Sequence, residues 1–324
     1  MIDMFGIPTL PFIAKGDLKK AQDRIPFLYY FLLLSAIMQL QQLQQTLPQV
    51  QNFTPRWPIF WAHYLGYQTS VELIYLLFVG TALTGAFYYR KRWARIVAFL
   101  GVFQFHALAN SFGITYHQTD LWVWTALFFT ILPDVWNIES PAAAAKETFL
   151  TIFWGAQAFV LLIYTMSGIW KSYEALQQLL SGVPSVFSFE APALHVATQF
   201  IKQAGDGTSL FGPYIIEHPI VAWLPLITVL YLQTCAFYVA FKPNLHGLWA
   251  FGLVAFHTGV YLTLYVTLFE HIFLILLLLG DSPFRDTRAS WRTAYDLPIF
   301  GPLLRLMISL SQRLRMAPHR TPSL

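Results

Sequence analysis

Apolar runs long enough to cross a bilayer recur along the 324-residue chain, and the polar residues between and within them set the reading. About 20 apolar residues cross the hydrocarbon core as a helix. By that ruler the pattern predicts eight helical spans: Pro26–Leu47, Gln68–Tyr89, Trp93–Gly113, Asp120–Trp136, Ala145–Trp170, Pro219–Phe241, Leu245–Val266 and Leu268–Gly280. The last two share one apolar stretch, 245–280, which at 1.5 Å per residue is too long for a single crossing. A turn or sharp break is therefore expected near Val266–Phe269. Two further segments alternate at helical spacing. Ala193–Ala204, inside the long Trp170–His218 connection, carries Leu194, Val196, Ala197, Phe200 and Ile201, which suits an interfacial helix, a lid or a plain loop. Phe300–Met316 interleaves leucines with arginines, as expected of a helix lying on a membrane or packed on the inner rim of the bundle. The expected fold is all-α: a polytopic transmembrane bundle of about eight helices with a short amphipathic C-terminal helix. Residues 1–24 precede it, 25–280 form the helical domain with an outer loop at 171–218, and 281–324 form a basic tail.

Composition narrows the classes. Hydrophobic residues make up 56% of the chain and charged residues only 11%, against about 25% charged in soluble proteins. So few charges cannot wet the surface of a globule of this size, which argues against a soluble enzyme, a disordered chain or a nucleic-acid-binding domain. The one cysteine, Cys235, leaves no intrachain disulfide and no dithiol motif.

Charge gives orientation. Lys15, Lys19, Lys20 and Arg24 precede the first span, and Arg90, Lys91, Arg92 and Arg95 lie between the second and third, so both flanks are expected inside. Pro48–Tyr67 carries only Arg56 and Phe112–Gln118 no basic residue, so these are expected outside. Eight crossings then place both termini in the cytoplasm, in agreement with the tail, whose seven arginines and three aspartates account for the whole formal charge of +4. One connection fits poorly: Asp134–Ala144 should be inside yet has no basic residue. The first apolar run is too long for a cleavable signal and lacks a small-residue cleavage site, so it reads as a first transmembrane helix.

Polar residues inside apolar spans are costly unless they face a partner or a wet cavity. Three stripes stand out: His106, Asn110, Gly113 and His117; Gln157, Tyr164 and Lys171, with Gly168 between the last two; and His257, Tyr261 and Tyr265. Glu72, with Gln68 and Tyr75, forms a weaker fourth. Each stripe suits either a functional face or ordinary interhelical hydrogen bonding. Facing histidines in spans three and seven could ligate a haem, but there is no HExxH, no His-rich tract and no helix pair with matched histidine spacing, so no metal is expected.

The segment Tyr164-Thr165-Met166-Ser167-Gly168-Ile169-Trp170-Lys171 resembles a helix of the vitamin K-dependent gamma-carboxylase superfamily that ends in a lysine. Phe256-His257, followed by Leu264, Phe269 and Ser282-Pro283-Phe284, is similar to that superfamily's phenylalanine–histidine helix. His117, in Tyr116-His117-Gln118-Thr119-Asp120-Leu121-Trp122, matches a histidine after span three. From about Arg24 to Arg285 the chain resembles the bacterial branch, the horizontally transferred transmembrane (HTTM) domain. The resemblance implies a bacterial inner-membrane protein that takes a quinone or another prenyl lipid sideways from the bilayer. Lys171 would be the base, His117 and His257 orienting donors, and Tyr164, Tyr261, His106 and Asn110 ligand contacts. A free amine backed by apolar surface suits such a base, because loss of water disfavours the ammonium form. The residues after Gly280 are a basic tail rather than a large extramembrane region, and Trp170 and Ser172 depart from the usual neighbours of the lysine, so glutamate carboxylation itself is not implied. A second reading stays open: a non-catalytic subunit of a larger membrane complex, respiratory or photosynthetic, offering protein, lipid or pigment contacts.

Overall fold

The computed structural model describes residues 10–43, 47, 53–112, 120–136, 141–202, 209–285 and 291–316, the backbone alone at 291, 292 and 312–316. Among the described residues there is no strand, and there are ten helices of seven or more residues: α1 (Leu18–Gln41), α2 (Tyr67–Tyr88), α3 (Arg92–Ala109), α4 (Asp120–Thr130), α5 (Ala143–Leu180), α6 (Ala191–Lys202), α7 (Pro219–Thr234), α8 (His246–Leu264), α9 (Phe269–Ile275) and α10 (Phe300–Met316). A helix lies on each predicted apolar run. Three stretches, Tyr67–Tyr88, Ala143–Leu180 and Pro243–Leu264, are long and apolar enough to cross a membrane.

Neighbours in sequence pack as neighbours in space: α1 on α2, α2 on α3, α3 on α4, α4 on α5. The order then changes, as α5 packs on α7, and α7 and α9 both pack on α8. Aromatic and small residues fill the shared core, including Tyr29, Phe129, Phe149, Phe153 and Trp249. Phe31 stacks nearly parallel on Phe273, 4.0 Å between centroids, and on Trp122, 5.1 Å away, so α1, α4 and α9 meet through three rings.

The expected break in the 245–280 stretch falls at Tyr265, which takes a left-handed φ of 54° and caps α8. The reversal is held from outside: Ser209 Oγ donates to the Thr263 carbonyl at 2.7 Å and Phe211 N to the Leu262 carbonyl at 3.0 Å. The largest departure from the sequence reading is α5. Instead of ending at Trp170 it continues to Leu180, so the first part of the expected outer loop is helix, and α6 occupies more of it. Glu174, Ala175, Leu176, Gln177 and Gln178 are all strong helix formers, and no glycine or proline intervenes before Gly182. Rising polarity marks where a segment leaves an apolar environment; it does not end a helix.

One end of the helices is tied by charge. Lys20 and Arg24 both pair with Asp281, and Asp17 N donates to the Pro283 carbonyl at 3.0 Å, so the start of α1 meets the chain just after α9. At the same end the fully buried Arg95 donates to the carbonyls of Tyr89 (3.0 Å), Arg90 (2.9 Å) and Leu132 (2.6 Å), with Asp134 at 3.7 Å. Gln22 reaches Val135 O at 3.0 Å. The Asp134–Ala144 connection, which has no basic residue of its own, thus begins beside one borrowed from α3.

Candidate functional site

Gly168 sets the site. A Cβ at this position would lie 2.8 Å from both Gln233 C and Thr234 Cα, and closer still to Thr234 N. Only glycine lets α5 approach the α7 backbone this closely. α7 is interrupted at the same level: it stops at Thr234, Cys235 leaves helical geometry, and the chain resumes as a short turn over Ala236–Val239. Thr165, one turn before Gly168, answers the freed backbone groups. Its hydroxyl donates to Gln233 O at 3.2 Å and accepts from Phe237 N at 2.7 Å. Trp249 Nε1 donates to Leu232 O at 2.9 Å. Together these bonds fix Gln233, itself buried, so that its side chain faces α5.

Lys171 Nζ donates to Gln233 Oε1 at 2.8 Å and stands 5.9 Å from the centroid of the Phe256 ring. Glu174, three residues on and exposed, makes no ion pair with it. Two turns back along α5, the Tyr164 hydroxyl lies 2.6 Å from His257 Nε2. The second ring nitrogen, His257 Nδ1, is buried and has no hydrogen-bond partner among the described residues. His271 on α9 closes the group edge-on, its ring 5.2 Å from His257 and 6.5 Å from Tyr164. Tyr164 and His257 are buried while Lys171 is exposed, so the arrangement runs inward from the surface of the helices. Lys171 lies nine residues short of the end of α5, not at a helix terminus as the sequence suggested.

On α6, His195 feels the same lysine. Loss of surrounding water, then the positive charges of Lys171 and Lys202, lower its pKa below the ordinary histidine value. The remaining sequence candidates divide. Tyr261 belongs to an aromatic stack with Tyr265 (5.5 Å) and Phe269 (5.9 Å) where α8 ends. His106 on α3 and Asn110 just beyond its end form a group of their own: Asn110 Nδ2 donates to His106 O at 3.0 Å, and His106 Nε2 lies 3.3 Å from Asp120. His117 lies outside the described residues. Gln157, from the same stripe as Tyr164 and Lys171, is part of a different cluster, donating to Leu278 O and to Ser282 Oγ, which also bonds His246. Two residues of the site, Gln233 and His271, were not singled out from sequence. Both are polar residues inside apolar runs, the signal that marked the others.

No set of three or more histidine, cysteine, aspartate or glutamate side chains among the described residues could hold a metal ion. The site brings together an amine, an amide, a phenol and two imidazoles beside the Phe256 ring. No family model matches the chain, and neither a curated protein nor a solved structure matches it.

Proposed function

We propose that the chain is an integral membrane protein of the HTTM type that binds a prenylated quinone or quinol between α5, α7 and α8 and moves a proton to or from it. Lys171 acts as the base. The observation that carries the reading is the buried Tyr164–His257 pair with an imidazole nitrogen unanswered among the described residues, beside an amine that has no carboxylate partner among them. With the Tyr164 hydroxyl donating to Nε2, the ring proton sits on Nδ1, leaving a buried donor able to hold a ring oxygen as its charge rises. Lys171, exposed on the surface of the helices, is reachable by a ring entering sideways from lipid, while Gln233 holds the amine in place. Deprotonation then moves the O–H proton of the quinol to the Lys171 amine, giving an ammonium and a ring oxyanion.

In this reading the chain crosses the bacterial inner membrane eight times with both termini in the cytoplasm. The pairing of Lys20 and Arg24 with Asp281 supports an even number of crossings between them, and Arg95 beside Asp134 supplies the positive charge expected on that inner connection. Lipids are the direct partners, and contacts with other membrane subunits are compatible with the same surface.

The test is extraction of the purified full chain and identification of its bound lipid. The wild type should carry a redox-active prenylated quinone, and Lys171→Met, which keeps the apolar stem and removes the amine, should bind it at least about tenfold more weakly while inserting and folding normally. A wild-type protein that neither retains nor takes up a quinone, or a Lys171→Met protein that binds as the wild type does, would overturn the reading.

A further inference from the structure

The apolar face of α10 is uncovered. Phe300, Leu303, Leu306, Met307 and Leu310 are all exposed, Met307 to 66%. The helix is nevertheless anchored at its start. The Tyr231 hydroxyl donates to Pro298 O at 2.8 Å and its ring packs edge-on against Phe300 at 5.2 Å. Arg305 reaches back to Tyr295 O at 2.6 Å, and Lys242 pairs with Asp296 at 3.6 Å. Lys242 follows the Ala236–Val239 turn, and Val239 O and Ser282 both bond His246, so this anchorage is at the end of the helices where Asp281 meets Lys20 and Arg24. That end also carries the basic run Arg90–Arg92, and Arg313 and Arg315 follow Arg305 along α10.

We infer that α10 lies in the plane of the membrane and docks on anionic phospholipid headgroups, its leucine face in the acyl boundary and its arginines among the phosphates. The inference rests on the membrane-spanning reading above. Charge selects the occupant: residues 281–324 hold the chain's entire net charge of +4, so a second copy on this face would set like charge against like, whereas an anionic surface complements it. An apolar helical face interleaved with arginines is the pattern that partitions to such a boundary.

The experiment uses the full chain in nanodiscs, with Cys235→Ala and an environment-sensitive fluorophore on a single cysteine at Met307→Cys or Ser309→Cys. In discs containing about one-third phosphatidylglycerol, the Met307 probe should be quenched by a lipid-borne quencher, whereas the Ser309 probe should be quenched by aqueous iodide. Replacing Arg305, Arg313 and Arg315 with glutamine should return the Met307 probe to water, each lost arginine weakening the association about fivefold. Lipid quenching that is equal in purely zwitterionic discs and indifferent to the arginines would overturn the choice of anionic lipid. A Met307 probe open to iodide, or shielded from both quenchers by protein, would overturn the docking itself. Entry of the chain into discs is read separately by size exclusion. Failure there defeats the spanning reading and this one together, whereas entry with a wet Met307 probe defeats this one alone.

Discussion

At the end of the helices that carries Arg95 and Asp281, buried polar side chains mostly answer to backbone carbonyls; at the candidate site Tyr164 answers to His257 and Lys171 to Gln233. Arg95 bonds three carbonyls, Gln22 a fourth, Trp154 the carbonyl of Ala240, and His246 that of Val239. Carbonyls at helix ends lack intrahelical partners and need donors wherever water is scarce, so such bonds follow from the ends themselves. The Tyr164–His257 and Lys171–Gln233 bonds satisfy no backbone group. Leucines in their place would leave no main-chain atom orphaned, so these side chains cost the fold more than they return unless something else uses them. The contrast separates polar residues that close the architecture from those that the proposed quinone site would use.

The comparison breaks most visibly at Arg95. Arg95→Met should strip three carbonyls of their donor, that of Leu132 in a buried setting, and lower stability by about 3 kcal/mol, since a buried group left unanswered costs roughly 1–3 kcal/mol. Unfolding temperature and the monodisperse fraction after solubilisation measure it, and an unchanged protein would erase the distinction between the two regions. Gly168→Ala comes next. The added methyl has backbone rather than a flexible side chain in front of it, so α5 and α7 must part, at a cost of roughly 1–3 kcal/mol. The same separation lengthens the Lys171–Gln233 bond, so quinone binding should fall with it, which ligand titration of the variant would show.

Smaller effects are electrostatic. At Asp281 partial burial alone would raise the carboxyl pKa, but the bonds and charges of Lys20 and Arg24 outweigh it and the net direction is down. A depressed carboxyl contributes stability that is present above its unfolded value, about 4, and is lost as pH falls through the folded value. With its side chain 54% exposed, the pair is screened and contributes at most about 1 kcal/mol. Thermal unfolding from neutral pH down to about 3 should show this slope in the wild type and lose it in Asp281→Asn. The smallest effect belongs to His195, whose pKa is also lowered. The unfolded chain then takes the proton first, so stability should decline as pH falls through the ordinary histidine value of about 6.5. His195→Asn should flatten that decline.

Helix positions were largely legible in the sequence because an apolar run is a property of consecutive residues. The break at Tyr265 and the bounds of α10 follow from run length and spacing in the same way. The continuation of α5 to Leu180 is not legible, since an apolar run and the helix that carries it need not end at the same residue. Arg95 shows another limit. Counted among the basic flanks, it is fully buried, because its partners Leu132 and Asp134 lie nearly forty residues away and no local pattern announces them. At the site, Tyr164, Lys171 and His257 were marked as polar intruders, but that Tyr164 meets His257 while Lys171 meets Gln233 depends on how closely Gly168 lets two helices approach.

If α5 crosses a bilayer as proposed, its length sets how deep Lys171 lies. Thirty-eight residues at 1.5 Å each make a rod of about 57 Å, nearly twice the roughly 30 Å of hydrocarbon in an average bilayer. Ordinary tilts of about 20° shorten its vertical reach only slightly. The excess must stand in the headgroups and beyond, and how it divides between the two faces depends on bilayer thickness. In a thin membrane Lys171 sits nearer to water, and in a thick one it sinks toward the acyl chains. In the proposed membrane-spanning reading, lipid composition would therefore tune the depth, and with it the hydration, of the amine.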